Sequence, residues 1–214
     1  MRTIAIVGTK GGTGKTTLLS CLAVALSDEG SVAVLDLDPQ RSLTDWWDRR
    51  GQPDNPKLYS GIDSAADAAD IIRADGKSDW LLIDTGPGLL RAIEPAVKAA
   101  DVVLIPLKAS ALDLVALQPV LDIMHASGTP YLMVLNESVS TKMDTSAAEL
   151  LRDSDHMVAK VPIRQRVAYR SAATTGKTGP EIDDKCEAEL IALLDEVRGM
   201  IDLLDDIRGA KRRG

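Results

Sequence analysis

The segment that says most about this 214-residue chain is Val7-Gly8-Thr9-Lys10-Gly11-Gly12-Thr13-Gly14-Lys15-Thr16-Thr17. It follows an apolar run over residues 3–8, which predicts a buried strand, and it opens a helical pattern over residues 15–27. Glycines let the backbone amides of such a loop converge on phosphate oxygens, and the following helix adds the positive end of its dipole. The stretch therefore predicts a phosphate-binding loop, in which Lys15 contacts the β- and γ-phosphates of a nucleotide and the Thr16 hydroxyl binds Mg²⁺.

Alternating strands and helices are predicted along the rest of the chain. Further apolar runs predict strands over residues 32–37, 80–83, 102–105, 131–135 and 157–161. Helical patterns occupy residues 42–50, 64–73, 89–99, 111–125, 145–151, 166–173 and 185–207. This order predicts an α/β fold, a doubly wound and mostly parallel sheet flanked by helices. We expect residues 1–214 to form a single domain that ends in a flexible basic tail, residues 211–214, with Lys211, Arg212 and Arg213.

The composition fits a sheet that is buried on both faces. The chain contains no Phe, and aromatic residues make up only 3%, so Val, Ile, Leu and Ala must build the core. Cys21 and Cys186 have no metal-ligand spacing, and we expect both thiols to be reduced and structural. No secretory signal is recognisable and no apolar stretch approaches the length that spans a bilayer, so a cytoplasmic protein is predicted.

Three aspartates lie at the ends of two predicted strands. Asp36 and Asp38 come at the end of the second strand, and Asp84 follows the apolar run at residues 81–83. Ligands of open α/β sheets bind at the carboxyl ends of the strands, so we expect these carboxylates beside the phosphate loop. The alternative for any one of them is a turn or N-cap aspartate, which is common at strand ends.

Two departures from the standard loop point to a particular class of ATPase. Thr9 stands where the standard loop has glycine, and an additional lysine, Lys10, precedes the glycine pair. With the segments Asp36-Leu37-Asp38-Pro39-Gln40 and Thr85-Gly86-Pro87-Gly88, residues 1–207 resemble the ParA/MinD family of deviant Walker A P-loop ATPases, and most of all its small ParA-type (ParF-like) partition ATPases. The chain departs from some members at Leu107-Lys108-Ala109, where those proteins carry a second proline on the dimer face.

The resemblance implies a set of site residues. Lys10 would reach across a dimer interface to the partner's nucleotide, Asp38 would position the attacking water or a magnesium-bound water, and Asp84 would hold Mg²⁺ through water. The candidate catalytic residues are therefore Lys10, Lys15 and Asp38, and the candidate metal-binding residues are Thr16, Asp38 and Asp84. Asn136 matches the family's adenine-binding asparagine. The residues expected to bind ATP are Lys10, Gly11, Gly12, Thr13, Gly14, Lys15, Thr16, Thr17, Asn136, Pro162 and Ile163.

The resemblance also implies partners. ATP would drive formation of a homodimer that binds DNA non-specifically and associates with the nucleoid. A ParB/ParG-like adaptor would stimulate slow ATP hydrolysis, so that a plasmid, a chromosome locus or another cargo is segregated or positioned. The net charge of −7 argues against nucleic-acid binding, but residues 159–180 contain five basic residues and no acidic one. Four of these are the candidate DNA-binding residues, Arg164, Arg166, Arg170 and Lys177, and the alternative for them is a solvated basic face.

Other functions of the same fold stay open. A MinD-like membrane-associated regulator would end in a basic amphipathic helix, whereas the last predicted helix combines its apolar stripe with an acidic face, so no stable membrane association is expected. An electron-transfer reductase would need paired cysteines for an iron–sulfur cluster, which Cys21 and Cys186 do not match. A small-molecule biosynthetic ligase is compatible with the fold, although Lys10 argues against it. A non-hydrolysing ATP-dependent interaction protein is the last alternative, and Asp38 argues against that.

Overall fold

Strands rich in Val, Ile, Leu and Ala form the sheet of this computed structural model, which describes residues 1–62, 64–88, 90–109 and 116–211. Within these residues the strands are β1 (Arg2–Ile6), β2 (Val32–Leu37), β3 (Lys57–Tyr59), β4 (Trp80–Thr85), β5 (Val102–Leu107) and β6 (Tyr131–Leu135). They are hydrogen-bonded in the order β3-β2-β4-β1-β5-β6, and each pair of neighbours is parallel. The phosphate loop, which follows β1, therefore leaves the sheet near the middle of its carboxyl edge.

Helices cover both faces of this sheet. They are α1 (Lys15–Ser27), α2 (Ser42–Arg49), α3 (Ala65–Asp75), α4 (Leu90–Ala99), α5 (Gln118–Ser127), α6 (Thr141–Asp153), α7 (Val167–Ala173) and α8 (Asp184–Lys211), with a 3₁₀ turn at Gly179–Glu181. Ile4 and Ile6 of β1 pack with α1, α2 and α8 on one face, while Ala5 packs with α3, α4, α5 and α6 on the other. Successive side chains of a strand point to opposite faces, so both faces are buried. The predicted doubly wound, mostly parallel α/β fold is confirmed.

The sheet differs from the prediction on the β2 side. β3 is not predicted from the sequence because its three residues are too few to show a period, and it pairs with β2 alone among the described strands. β4 continues to Thr85, so that Asp84 lies inside the strand and not at its end. Asp84 is in register with Ile6 of β1 and Asp36 of β2, which encloses its carboxyl group between two neighbouring strands.

The strand β5 continues through Pro106 to Leu107, two residues beyond the strand predicted over residues 102–105. The even-numbered residues of β5 face β1, because Val7 N donates to Leu104 O at 3.0 Å. The β1–β5 ladder ends at Leu104, so a residue without an N–H group is tolerated at position 106. The other side of β5 keeps its pairing with β6 up to Leu107.

The strand predicted over residues 157–161 is wrong. Val158 makes only an isolated parallel bridge to Met133. Ala159 N donates to Met133 O and Ile163 N donates to Leu135 O, each at 2.9 Å, so the spacing of these bonds is longer than a regular parallel ladder allows. Lys160 N points away from β6 and donates to the Glu196 carboxylate at 2.8 Å. The segment therefore lies along the edge of β6 without extending the sheet.

The last helix, α8, is longer than predicted and packs on the sheet. Its apolar stripe, which includes Leu190, Leu194 and Val197, belongs to the same core as Ile4 and β1. The helix continues to Lys211, within the tail that was expected to be flexible. In the part of the chain that the structure describes, no helix is both long enough and apolar enough to cross a membrane.

Some predicted features lie outside the described residues. These are residues 89 and 111–115 of two predicted helices and residues 212–214 of the predicted tail, with Arg212 and Arg213.

The helix predicted over residues 145–151 begins earlier, at Thr141, because the Ser140 hydroxyl caps it by accepting from the Met143 N–H group.

Candidate nucleotide-binding site

The loop between β1 and α1 turns through glycines with left-handed backbone conformations. Gly12 has a φ of +70° and Gly14 has a φ of +82°, and Gly14 is the N-cap residue of α1. A Cβ atom on Gly14 would also lie 2.2 Å from Asn136 Nδ2. Only glycine satisfies both conditions, so the loop can bring its backbone amides close to a bound group.

Lys15 and Thr16 begin α1 and face the phosphate loop. Lys15 Nζ donates to the Lys10 carbonyl oxygen at 3.0 Å, which folds the buried side chain back over the loop. Burial lowers the pKa of Lys15, while the Asp84 and Asp38 carboxylates act in the opposite direction. The Thr16 hydroxyl donates to Asp84 Oδ2 at 2.6 Å. A cation and a hydroxyl group therefore lie together at the start of α1.

Asp84 is fully buried beneath these two residues. Burial raises the pKa of Asp84 to about 7, against the lowering effect of the Thr16 hydrogen bond and with a further rise from Asp36. Among the described residues, none donates to its second oxygen, Oδ1, although this atom is buried. A buried carboxylate oxygen without a partner, next to a hydroxyl group, suits a hard cation such as Mg²⁺, which prefers oxygen ligands. The oxygens of Thr16 and Asp84 therefore fit this metal.

Asp36 and Asp38 differ in what they contact. Asp36 Oδ2 accepts from both the N–H group and the hydroxyl group of Thr44, at 2.9 and 2.7 Å, and so fixes the first turn of α2. Its other oxygen accepts from the Asp38 N–H group at 3.1 Å. Asp38 Oδ1 accepts from the Gln40 N–H group at 2.9 Å, and Asp38 lines the cavity that contains the phosphate loop. Asp36 thus supports the segment from which Asp38 reaches the cavity.

The loops that follow β2 and β4 touch each other at Gly86. A Cβ atom on this residue would lie 3.0 Å from Pro39 Cδ and 3.2 Å from Asp38 Oδ1. The segment 85–88, which contributes to the resemblance to the ParA/MinD family, therefore packs directly against Asp38. A movement of either loop changes the space available to the other.

Lys10 and Thr9, the two departures from the standard loop, line the same small cavity beside Leu117. Lys10 is half-buried, and its carbonyl oxygen accepts the Lys15 ammonium. The Thr9 hydroxyl donates to the Ala116 carbonyl oxygen at 2.9 Å. Where the standard loop has glycine, this chain therefore has a side chain that joins the loop to the segment before α5.

A cavity of about 240 Å³ lies beside the phosphate loop, between α1 and residues 163–170. Asn136 lines it, with Nδ2 donating to the Thr13 carbonyl oxygen at 2.7 Å, so the amide is held against the loop. Leu18 and Leu190 form apolar walls. Within the described residues, Ile163 lines this cavity and Pro162 does not. An apolar slot with an amide group at its edge suits a planar base with polar edge atoms.

A second cavity, of about 460 Å³, contains the phosphate loop and Asp38. The two cavities share Gly14 and Thr17, so the space for a base and the space for phosphates are continuous. Away from the loop, the second cavity extends along α1 between α2 and the residues after α7. This far end is lined by Trp46, Arg49 and Lys177.

Arg164, a candidate DNA-binding residue, belongs to a largely buried polar network. Its Nη1 donates to Asp144 Oδ2 at 2.9 Å and to Ser138 Oγ at 2.7 Å, and Nη2 donates to Thr141 Oγ1 at 3.1 Å. Asp144 and Ser138 are each 6% exposed and are hydrogen-bonded to each other. Ser138 N also donates to the Ile163 carbonyl oxygen at 3.0 Å. The network thus joins two walls of the smaller cavity, one after β6 and one at residues 163–166.

The other three basic candidates fall into two groups. Arg166 forms an ion pair with Glu189, a carboxylate on α8 that is 8% exposed and also accepts from Arg164 N at 3.1 Å. Arg170 and Lys177 are exposed, and within the described residues neither side chain forms an ion pair. Of the four residues predicted as one DNA-binding surface, two arginines are therefore paired with carboxylates, and the other two residues, Arg170 and Lys177, are exposed.

Several residues of the site are not predicted from the sequence. Ser138, Asp144 and Glu189 have no local pattern that marks them, because their partners come from other segments of the chain. Glu137 lines both cavities with a φ of +51°, which is unusual for a residue other than glycine, and its carboxylate pairs with Lys108 at 2.8 Å. Lys108 lies in the stretch where the chain departs from some ParA/MinD proteins, so this departure places an ion pair beside the site.

Comparisons with known proteins place the chain in a family. The family model of the CobQ/CobB/MinD/ParA nucleotide-binding domain matches residues 4–207. The chain is 29% identical over 184 residues to the maintenance of carboxysome distribution protein A of Halothiobacillus neapolitanus, covering 81% of this chain and 84% of that one. It is 31% identical over 188 residues to the protein of the same name from Gloeobacter kilaueensis, covering 82% of each. Protein ParA of Rhizobium radiobacter is 32% identical over 114 residues, which cover 53% of this chain and 51% of that one.

Solved structures share the fold. A variant of McdA from Cyanothece in complex with ATP matches with a TM-score of 0.68 and 18% identity, covering 96% of both chains. The septum site-determining protein MinD of Pyrococcus horikoshii OT3, complexed with Mg-ADP, matches with a TM-score of 0.70 and 20% identity, covering 94% of this chain and 98% of that one. The cell division protein MinD of Aquifex aeolicus matches with a TM-score of 0.75 and 18% identity, covering 93% and 98%.

Proposed function

The chain belongs to the CobQ/CobB/MinD/ParA nucleotide-binding family, and from this premise we propose that it is a ParA-like ATPase that positions a cargo by switching between a monomer and an ATP-bound homodimer. The observation that carries the proposal is the meeting of the phosphate loop, Asp38 and Asp84 at the carboxyl edge of the sheet, beside a cavity lined by Asn136. In this proposal residues 1–214 are a single ATPase domain.

ATP and Mg²⁺ are the ligands that the site fits, and solved structures of the same fold hold ATP or Mg-ADP. Thr16, Asp84 and Asp38 would hold Mg²⁺, the two carboxylates through water, and the metal would neutralise charge on the β- and γ-phosphates. The amides of residues 10–17 would bind the phosphates, since they belong to a loop that ends at a helix N-terminus. Asn136 and Ile163 would bind the base, with Pro162 outside the contact.

The chemistry assigned to this chain's own residues is positioning and charge stabilisation. Lys15, folded over the loop, would stabilise charge that develops on the γ-phosphate. Asp38, held by the Gln40 N–H group at the cavity wall, would orient the attacking water. Lys10 would act on the partner's nucleotide, as an arginine finger does, so that dimer formation and ATP binding depend on each other. Hydrolysis by one subunit would be slow and would be stimulated by an adaptor.

The role as a positioning ATPase is supported by the names of the relatives, two of which maintain carboxysome distribution and one of which is a ParA. We include in the proposal an adaptor of the ParB/ParG kind, a DNA-bound dimer and a cytoplasmic location on the nucleoid while ATP is bound. The cargo would be a plasmid, a chromosome locus or a protein body.

The test is the nucleotide dependence of self-association. Sedimentation velocity would be run on the unmodified protein, Lys10→Ala and the control Lys98→Ala, each with ATP and Mg²⁺, with ADP and without nucleotide. Lys98 is an exposed lysine of α4 that pairs with Glu94, so its loss removes a charge away from the site. We expect an ATP-dependent dimer for the unmodified protein and the control, and a monomer that still binds ATP for Lys10→Ala.

Two outcomes would contradict the proposal. An unmodified protein that stays monomeric with ATP would exclude the monomer–dimer switch. A Lys10→Ala variant that forms the ATP-bound dimer as readily as the unmodified protein would exclude the role of Lys10 across the interface.

A further inference from the structure

The far end of the larger cavity has cations that the proposed nucleotide site does not use. Arg49 of α2 and Lys177 after α7 line this end and are exposed. Arg170 of α7 lines the adjoining cavity and is exposed in the same way. In the described parts of the chain, none of these three side chains forms an ion pair. We call Arg49, Arg170 and Lys177 the cationic surface.

Arg49 and Lys177 are held next to each other although they are distant in sequence. The Trp46 indole Nε1 donates to the Lys177 carbonyl oxygen at 3.2 Å. Gly176 packs on the end of α2 so closely that a Cβ atom there would lie 2.4 Å from the Arg49 carbonyl carbon. The chain therefore brings a helix end that carries one cation against a loop that carries another.

The Arg50 side chain also holds the end of α2 against residues 176–181. Its Nη1 donates to the Gly176 carbonyl oxygen at 2.9 Å. The same guanidinium makes two parallel bonds, of 2.9 and 3.0 Å, to the two oxygens of Glu181. Such a paired geometry restricts both partners. α2 and residues 176–181 are therefore held in one arrangement, with Arg49 and Lys177 left on the outside.

We propose that the cationic surface contacts the phosphate backbone of duplex DNA, and that Arg164 and Arg166 do not. This inference rests on the proposed function, since it names the residues by which the ATP-bound dimer would hold DNA. Contacts with DNA phosphates gain free energy by releasing counterions, and exposed cations without a carboxylate partner are free to make them. Arg164 and Arg166 would first have to leave the nearly buried carboxylates of Asp144 and Glu189.

The helix α2 also connects this surface to the nucleotide. Its first turn is held by the two bonds from Thr44 to Asp36, and Asp36 in turn holds the backbone of Asp38. A change in the position of Asp38 on binding of a γ-phosphate would therefore be passed to α2 and, through the Trp46 hydrogen bond, to Lys177. We include in the inference that the placement of the cationic surface depends in this way on which nucleotide occupies the site.

The experiment compares charge-removing variants in equilibrium binding to a fluorescein-labelled duplex of mixed sequence, followed by anisotropy. The variants are Arg49→Gln, Lys177→Gln, Arg164→Gln and the control Lys142→Gln. Lys142 is an exposed lysine of α6, which packs on the opposite face of the sheet from α2. Each protein is titrated with ATP and Mg²⁺ and with ADP over a series of salt concentrations.

We expect Arg49→Gln and Lys177→Gln to weaken DNA binding several-fold with ATP. Each lost phosphate contact makes the negative slope of log Kobs against log salt concentration shallower by about 1. Lys142→Gln should keep the slope of the unmodified protein, and Arg164→Gln should keep it at an ATP concentration that saturates this variant. Binding of a fluorescent ATP analogue, measured on the same samples, should be the same for Arg49→Gln as for the unmodified protein.

The outcomes that overturn the inference are separate from those that overturn the proposed function. Unchanged slopes for Arg49→Gln and Lys177→Gln, with DNA bound by the unmodified protein, would exclude the cationic surface and leave the DNA-bound dimer in place. A loss of ATP affinity in Arg49→Gln would assign this arginine to the nucleotide site instead. An unmodified protein that binds no DNA with any nucleotide would overturn the proposed DNA contact itself.

Discussion

Gly14 must be glycine for two reasons, its backbone conformation and its close contact with a neighbouring side chain. Its φ is +82°, and a Cβ atom would lie 2.2 Å from Asn136 Nδ2. We expect Gly14→Ala to abolish binding of a fluorescent ATP analogue and to lower the free energy of unfolding in urea by about 1–3 kcal/mol, because a left-handed conformation is strained for alanine. Gly61→Ala is the matched control, since Gly61 has a φ of +76° with nothing within 4 Å of its Cβ position. Equal binding of the ATP analogue by the two variants would show that the contact between Gly14 and Asn136 does not affect nucleotide binding.

Arg164 is a second single residue with a specific effect, because its hydrogen bonds join two walls of the smaller cavity and so set the width of that cavity. We expect Arg164→Gln to weaken ATP binding several-fold and to leave the affinity for tripolyphosphate unchanged, because the network joins the walls around the base and not the phosphate loop. Removing the arginine also leaves the nearly buried Asp144 carboxylate without its cation, which should lower the free energy of unfolding by about 1.5–3 kcal/mol.

The matched control for Arg164→Gln is Arg73→Gln. Arg73 pairs with Asp70 on the surface of α3, with side chains 53% and 79% exposed. An exposed pair of this kind contributes about 0.5 kcal/mol or less, so this variant should unfold and bind ATP like the unmodified protein. A loss of tripolyphosphate affinity in Arg164→Gln as large as the loss for ATP would count against a specific effect on the base cavity.

The sequence predicts the residues whose chemistry is local and not those whose partners are distant. Lys15, Thr16 and the glycines of the loop are predictable because they lie within a few residues of one another, between a strand and a helix. Asp144 and Glu189 are not predictable, since each acquires its partner only when α6 or α8 packs near residues 163–166. The same limit explains why four basic residues that form one run in the sequence divide into two groups in the structure.

At the scale of elements, α2 carries two neighbouring arginines with opposite surroundings. The Arg50 and Glu181 side chains are 21% and 28% exposed and make two parallel bonds, whereas Arg49 is exposed without a described ion pair. We expect Arg50→Gln to lower the free energy of unfolding by about 1–3 kcal/mol, because Glu181 loses a charged partner. Arg49→Gln, the control on the same helix, should change it by about 0.5 kcal/mol or less. Urea unfolding checks both, and equal effects would contradict the assignment of Arg50 as the residue that holds α2.

The ends of elements are where the sequence prediction differs most from the structure. β5 runs past Pro106 because the side of the strand that lacks an N–H group has already lost its neighbour. The apolar residues 157–161 do not form a strand because the successive bonds to β6 come from Ala159 N and Ile163 N, a spacing that is too long for a parallel ladder. In both places a neighbouring element decides the outcome, and a local pattern of apolar residues contains no information about that neighbour.

At the scale of the whole molecule, the strand order explains why the candidate site is assembled at one edge of the sheet. The phosphate loop follows β1, Asp84 lies near the end of β4, Asp38 follows β2 and Asn136 follows β6. All of these strands are parallel, so their carboxyl ends meet at the same edge, and alternation of strands and helices is enough to predict this. The cavities are different, because side chains from α1, α7 and α8 enclose them and no single segment of the sequence describes their shape.

The position of the tryptophans in α2 has a spectroscopic consequence. The chain contains three tryptophans, and two of them, Trp46 and Trp47, lie in this helix, while Trp80 begins β4. Trp46 is 4% exposed and donates to Lys177, and Trp47 donates to the Pro56 carbonyl oxygen at 2.9 Å. Indole emission depends on the polarity and hydrogen bonding around the ring, so the natural fluorescence of the unlabelled protein is weighted towards α2. Stopped-flow mixing with ATP would therefore test the inferred movement of this helix and measure its rate, without any attached dye.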